Sequence, residues 1–110
     1  MKTFRPLRIS GLIQEQLGKI IIKEMDLPFG DFVTISNVQV TDDLEHAKIN
    51  ISVIPTSSSE NIIKILTKSA GHLQFLLNRK LNIKPIPRIE FHIDYGLAKA
   101  AEVEKLLLKK

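Results

Sequence analysis

The sequence predicts an α+β domain, a three-stranded sheet covered on one face by helices. Runs at 32–41, 47–53 and 88–95 alternate apolar with polar residues, as a strand does when only one of its sides is buried. The stretches 7–25 and 60–80 place apolar residues three and four apart, which is the mark of a helix with a single buried stripe. An alternating strand must hide its apolar side against something, and helices grouped around a sheet of this size do so from one face.

The first helix rests on Ile9, Leu12, Ile13, Leu17, Ile20 and Ile21, with Gln14, Glu15, Lys19 and Lys23 on the opposite side. Pro28 and Gly30 are expected to close it. In the first strand, 32–41, the phase slips, because Val33 and Ile35 are odd while Val38 and Val40 are even, so a bulge is expected near Ser36-Asn37. Asp42-Asp43-Leu44-Glu45 reads as a turn, and Ala47, Ile49, Ile51 and Val53 then alternate cleanly. The two strands should form an antiparallel hairpin. Pro55 to Ser59 is a short polar loop in which Ser58 or Ser59 can cap the next helix.

From residue 60 onward Ile63, Leu66, Ala70, Leu73 and Leu77 keep helical steps straight across a glycine, Gly71. A glycine inside a helix costs about 1 kcal/mol relative to alanine. Its presence therefore asks for a bend, or for bare backbone, at that point. Lys84-Pro85-Ile86-Pro87 ends the helical pattern, and the strand 88–95 follows with Ile89, Phe91, Ile93 and Tyr95 inward. Gly96 stops that strand, and 97–110 reads as a last helix.

At 110 residues the chain has the length of one domain, 1–110, with a single core. It contains no cysteine, which removes disulfides, thiolate nucleophiles and Cys-based zinc sites, and which suits a cytoplasmic location. Its apolar runs are far short of the roughly 20 residues that span a bilayer. Met1 to Pro6 shows no apolar core of a secretion signal, so neither export nor a membrane partner is expected. The net charge of +4 is unevenly spread: residues 60–84 carry Lys64, Lys68, Arg79, Lys80 and Lys84 against Glu60 alone, while 26–45 holds acids and no Lys or Arg. A basic surface of this kind favours a polyanionic partner.

On a helical wheel Lys64, Lys68, His72 and Arg79 share the sector opposite the core stripe, with Gly71 at its border and Phe75 inside it. A basic stripe with one aromatic ring and bare backbone can hold phosphates and stack a base. It can equally be the solvated face of a helix, with Phe75 turned into the core. Sequence alone leaves these alternatives open.

The order of elements, with Ser69-Ala70-Gly71 between two helical segments, resembles the ribosome-binding factor A family. Arg5 and Arg8 before the first helix, Val33-Thr34-Ile35 followed by Val38 to Leu44, the strand Ala47 to Val53, and Pro87 to Asp94 resemble that family's pattern in order and spacing over nearly the whole chain. The resemblance implies a type II KH-like fold, α-β-β-α-(kink)-α-β with a C-terminal helix, in which a kink with an Ala-x-Gly signature replaces the usual GxxG loop. It also implies a non-enzymatic assembly factor that binds the small ribosomal subunit and its ribosomal RNA and assists maturation of that RNA, often during growth in the cold. Arg5, Arg8, Lys64, Lys68, Ser69, Gly71, Arg79, Lys80 and Lys84 would then contact RNA. Two positions depart from the family pattern, Ser69 where alanine is preferred and Gln74 where many relatives carry arginine.

No other constellation competes with this reading. His46, His72 and His92 lie on separate elements without metal-ligand spacing, so no metal and no cofactor is expected. Asp42-Asp43 and Ser57-Ser58-Ser59 read as turn and loop residues. With no nucleophile motif, neither a catalytic residue nor a small-molecule substrate is expected. The alternative function is a protein-interaction or dimerisation domain without direct RNA binding, using exposed apolar residues such as Ile22 and Ile54; the RNA reading expects a monomer.

Overall fold

A computed structural model describes residues 5–25, 32–84 and 86–96. Within them the chain runs through helix α1 (Arg5–Glu24), strands β1 (Phe32–Val40) and β2 (His46–Ile54), helices α2 (Ser59–Lys68) and α3 (Ala70–Lys80), and strand β3 (Arg88–Ile93). The expected order is present from the first helix to the third strand. The expected terminal helix, 97–110, lies outside the described residues, as do Pro28 and Gly30.

The three strands form one sheet in the order β1-β2-β3. β1 and β2 are antiparallel, whereas β2 and β3 are parallel. A parallel pair needs a crossover, and the α2–α3 segment supplies it. The phase slip in β1 has the expected cause. Ile35 pairs with Ile51 and Asn37 with Asn50, which leaves Ser36 as the extra residue. The bulge returns Val38, paired with Ile49, to the side already taken by Ile35. The Ser36 hydroxyl donates to the Asn50 carbonyl at 3.1 Å and to Asp94 Oδ2 at 2.8 Å, so the bulge also fastens the end of β3.

One side of the sheet packs on the helices. Ala47, Ile49, Ile51 and Val53 of β2 meet Ile9, Ile13, Leu17, Ile20 and Ile21 of α1, Ile62 and Leu66 of α2, and Leu73 and Leu77 of α3 in a single buried cluster. Each Ile, Leu or Val among them contributes about 1.5–3 kcal/mol by leaving water. This layer fixes the helices on the sheet and hence the surfaces they show outward.

Four details differ from expectation. Leu12 is 42% exposed, because it lies about 60° round the wheel from Ile9, at the edge of the buried stripe. In α2 Ile62 joins Leu66 in the buried stripe while Ile63 is only partly covered, as is Ala70 at the start of α3. Ser58 takes the position before α2 without a side-chain capping bond, and Ser59, the first helical residue, is buried. Tyr95 is exposed rather than inward. β3 ends at Ile93 because the Asp94 N–H closes the ladder on Ile51, while the Asp94 carboxylate accepts the Gly96 N–H at 2.9 Å and turns the chain.

Candidate nucleic-acid interface

Between α2 and α3 the chain leaves helical geometry at a single residue, and that residue is Ser69 (φ −94°, ψ 3°), not Gly71. The Ser69 N–H closes α2 on the carbonyls of Ile65 and Leu66, and its own carbonyl accepts from the Leu73 N–H at 2.9 Å to start α3. With only one residue out of register, the buried stripe survives the corner: Leu66 and Leu73, two turns apart, are both fully buried.

Gly71 is the second residue of α3 and is exposed. A Cβ there would meet nothing within 4 Å, so packing does not demand glycine. What glycine leaves is a bare first turn. The N–H groups of Ala70, Gly71 and His72 open α3, where a helix has no carbonyl of its own to receive them, and no side chain at 71 stands over them. Lys64 and Lys68 lie one turn apart on the exposed side of α2, just before this corner.

Phe75 is 56% exposed. The Arg79 guanidinium lies 5.7 Å from its ring centroid, a cation–π arrangement on the open side of α3. The possibility that a bend would turn Phe75 inward is thereby removed, because the corner lies before Gly71 and does not rotate α3.

The nine residues expected at an RNA surface do not form one site. Lys64, Lys68, Ser69 and Gly71 surround the corner. Arg79 and Lys80 lie about 12 Å further along α3 and line a groove with Lys19 and Lys23 of α1. Lys84 borders a different depression with Asn78, Asn82 and Ile86. Arg5 and Arg8 are exposed in the opening turns of α1. Lys19 and Lys23 were not among the expected contacts. Their i, i+4 spacing is visible in the sequence, but not the helix they face.

Gln74 also has a role that its chemistry alone does not reveal. Its Oε1 accepts the Ile89 N–H at 2.8 Å, and its Nε2 donates to the Pro87 carbonyl at 3.1 Å and to Asn78 Oδ1 at 3.0 Å. One amide thus ties α3 to the start of β3 through both of its ends. The residue clamps α3 to β3, with both ends of its amide engaged by the fold.

Among the described residues the one ion pair joins His92 and Glu90 on the sheet, so none of the cations named above is held by a carboxylate of a described residue. No group of His, Asp and Glu among the described residues is arranged to hold a metal ion. Asp43 is a turn acid, accepting from the Thr41 hydroxyl and from the Glu45 N–H.

The model of the ribosome-binding factor A family matches residues 5–107. The chain belongs to the ribosome-binding factor A family. The ribosome-binding factor A of Pseudomonas fluorescens SBW25 is 35% identical over 106 residues, covering 94% of this chain and 81% of that protein. The crystal structure of ribosome-binding factor A from Thermus thermophilus superposes with a TM-score of 0.70 at 17% identity, covering 80% of this chain and 94% of that one. A homology model of the Thermus thermophilus factor, fitted into a cryo-electron-microscopy map of a 30S complex, matches with a TM-score of 0.64 at 16% identity, over 78% of this chain and 91% of that one. The fold shared with ribosome-binding factor A structures is the KH-like one.

Proposed function

We propose that this chain binds the small ribosomal subunit through its ribosomal RNA and assists maturation of that RNA as a cytoplasmic assembly factor, without catalysing a reaction of its own. The observation that carries the reading is the membership of residues 5–107 in a family of ribosome-binding factors. The relative fitted into a 30S complex supports the small subunit as partner. The local geometry agrees with this. Lys64 and Lys68 bring charge to a helix start whose residues Gly71 and His72 are exposed, a combination that attracts phosphate. Arg5, Arg8 and Lys84 add charge around the same helical layer. Such contacts position a nucleic acid without reading its sequence, so specificity lies in the shape of folded RNA.

Phosphate neutralisation releases counterions, and binding should weaken steeply as salt rises. Sedimentation of the purified protein with small subunits, large subunits and free RNA, each at two salt concentrations, tests the reading. Association with small subunits that outlasts the other two as salt increases supports it. Equal association with all three at low salt, and none at higher salt, leaves only generic adhesion. A second contact type has its own support, since Ile22 is 83% and Ile54 63% exposed. If these residues meet ribosomal protein or a second copy of the chain, Ile22→Asp lowers binding in a salt-independent way.

A further inference from the structure

Two of the cations on α3 do not belong to the corner. Arg79 and Lys80 form one wall of a groove with a volume of about 390 Å³, and the last turns of α1 form the other, with Lys19 and Lys23 facing them. Ile20 and Leu76 also line it, and Glu24 is its one acid. Four cations against one carboxylate leave the groove strongly positive, and among the described residues none of the four makes an ion pair.

Last-turn cations complement a helix dipole, and Lys23, Arg79 and Lys80 all occupy last turns. That accounts for a cation on each helix. It does not account for two cationic walls facing each other, an arrangement that favours an anion between them. It also leaves out Lys19, which stands before the last turn. Phe75 adds a second chemistry at the lip. Its exposed ring sits about 40° round α3 from Arg79, outside the groove that Arg79 and Leu76 enter, and the Arg79 guanidinium lies against it. Phosphate-holding cations beside an exposed aromatic plate are what a nucleotide needs.

We propose that the α1–α3 groove is a second RNA-binding surface, where Lys19, Lys23, Arg79 and Lys80 hold the phosphates of a single-stranded segment and Phe75, with Arg79, stacks one of its bases. The choice of RNA as partner rests on the function proposed above; the groove and its charge stand without it. An acidic protein segment would satisfy the lysines but leave the Phe75 plate unused, which is why RNA is favoured.

The test is fluorescence anisotropy of the full chain with an end-labelled single-stranded RNA of about ten nucleotides, with a duplex RNA and with labelled polyglutamate, across a salt series. Three variants are compared with the parent: Lys19→Gln with Lys23→Gln in the groove, Phe75→Leu at the lip, and Lys64→Gln with Lys68→Gln at the corner. Thermal unfolding checks that each is folded. The groove variant should lower single-strand affinity by on the order of tenfold and flatten the salt slope by about 1.4. Phe75→Leu should weaken single-strand binding by roughly tenfold and leave duplex binding unchanged. A groove variant that binds like the parent overturns the proposal, and if the corner variant loses binding in the same series, RNA binding itself survives. Equal losses on RNA and polyglutamate, with Phe75→Leu silent, overturn it in favour of an acidic protein partner. A parent that binds no RNA at any salt removes the RNA reading together with the groove.

Discussion

The two outer surfaces of this molecule are both polar, yet they are organised in opposite ways. On the open side of the sheet the polar groups engage one another: the Asn50 amide donates to Asn37 and to Gln39, His92 meets Glu90 at 2.9 Å, and Ser36 meets Asp94. On the outer side of the helices Lys64, Lys68, Lys19, Lys23, Arg79 and Lys80 have no carboxylate partner among the described residues. Lys48 and Arg88 on that face also have no carboxylate partner among the described residues, but the groups matched to one another gain little from a partner. A surface on which cations outnumber acids gains much from a polyanion, because the attraction adds to the release of its counterions. On the function proposed above, the difference favours the helical side for binding and leaves the sheet face a structural role.

Charge reversal separates the two surfaces most strongly. Lys64→Glu with Lys68→Glu should lower small-subunit association by about a hundredfold, since each change removes a phosphate contact and adds repulsion. Lys48→Glu, on the sheet face, should leave association within about twofold of the parent. Neither variant should move stability by more than about 0.5 kcal/mol, as exposed substitutions seldom do. Sedimentation with purified subunits reads the first pair of outcomes and urea unfolding the second. Equal losses for both variants would mean that only net charge matters, and the distinction between the surfaces would fall.

Gln74 links the helical layer to the sheet, and its removal should act on stability. Gln74→Ala leaves the Ile89 N–H and the Pro87 carbonyl without the partner they share. Orphaned, part-buried groups of this kind cost about 1–3 kcal/mol. The urea midpoint should fall accordingly, while RNA affinity of the folded protein stays near that of the parent. An unchanged midpoint would show that water replaces the amide without cost.

A smaller effect is expected at Gly71, where stability and binding should move in opposite directions. A methyl group at this position has open space, and alanine is the better helix former, so Gly71→Ala should stabilise by up to about 1 kcal/mol. The same methyl group would stand over the first turn of α3 and keep a phosphate away from its N–H groups. RNA affinity should drop several-fold as the melting temperature rises. If both rise together, the bare backbone at Gly71 has no part in binding.

Much of this was legible in the sequence, and the remainder was hidden for identifiable reasons. The phase slip at Ser36 announced the bulge, because alternation has a period of two and one extra residue reverses it. The corner was visible too, but it was assigned to Gly71 when Ser69 makes it. Glycine signals conformational freedom, whereas the backbone at Ser69 lies near the bridge region, which other residues also adopt. The cations on α2 and α3 could be found by wheel. Their division into a corner and a groove could not, because Lys19 and Lys23 meet Arg79 and Lys80 only through the tertiary packing of α1 on α3. Gln74 stands out in the sequence only as a departure from arginine, because its partners Pro87 and Ile89 lie 13 and 15 residues away in sequence.

The least of the expected effects lies on the sheet side and is a matter of pH. The Thr41 hydroxyl, followed by the Glu45 N–H, holds the Asp43 carboxyl below its ordinary range. The Gly96 N–H, followed by the Ser36 hydroxyl, does the same for Asp94, and His92 does so for Glu90. A carboxyl depressed in the folded state favours folding above its unfolded value, near about 4, and that contribution disappears as pH falls through the lower folded value. Between neutrality and the top of that window these groups leave stability flat. All three are exposed, so the acid-side loss should be modest. Asp43→Asn and Asp94→Asn should each lie below the parent in urea midpoint at neutral pH and converge on it toward pH of about 3. The cations of the helical side have no such carboxylate partners among the described residues, so Lys64→Gln should run parallel to the parent over the same range. Parallel curves for the two aspartate variants as well would show that the hydrogen bonds of the sheet face do not discriminate between the ionised and neutral carboxyl.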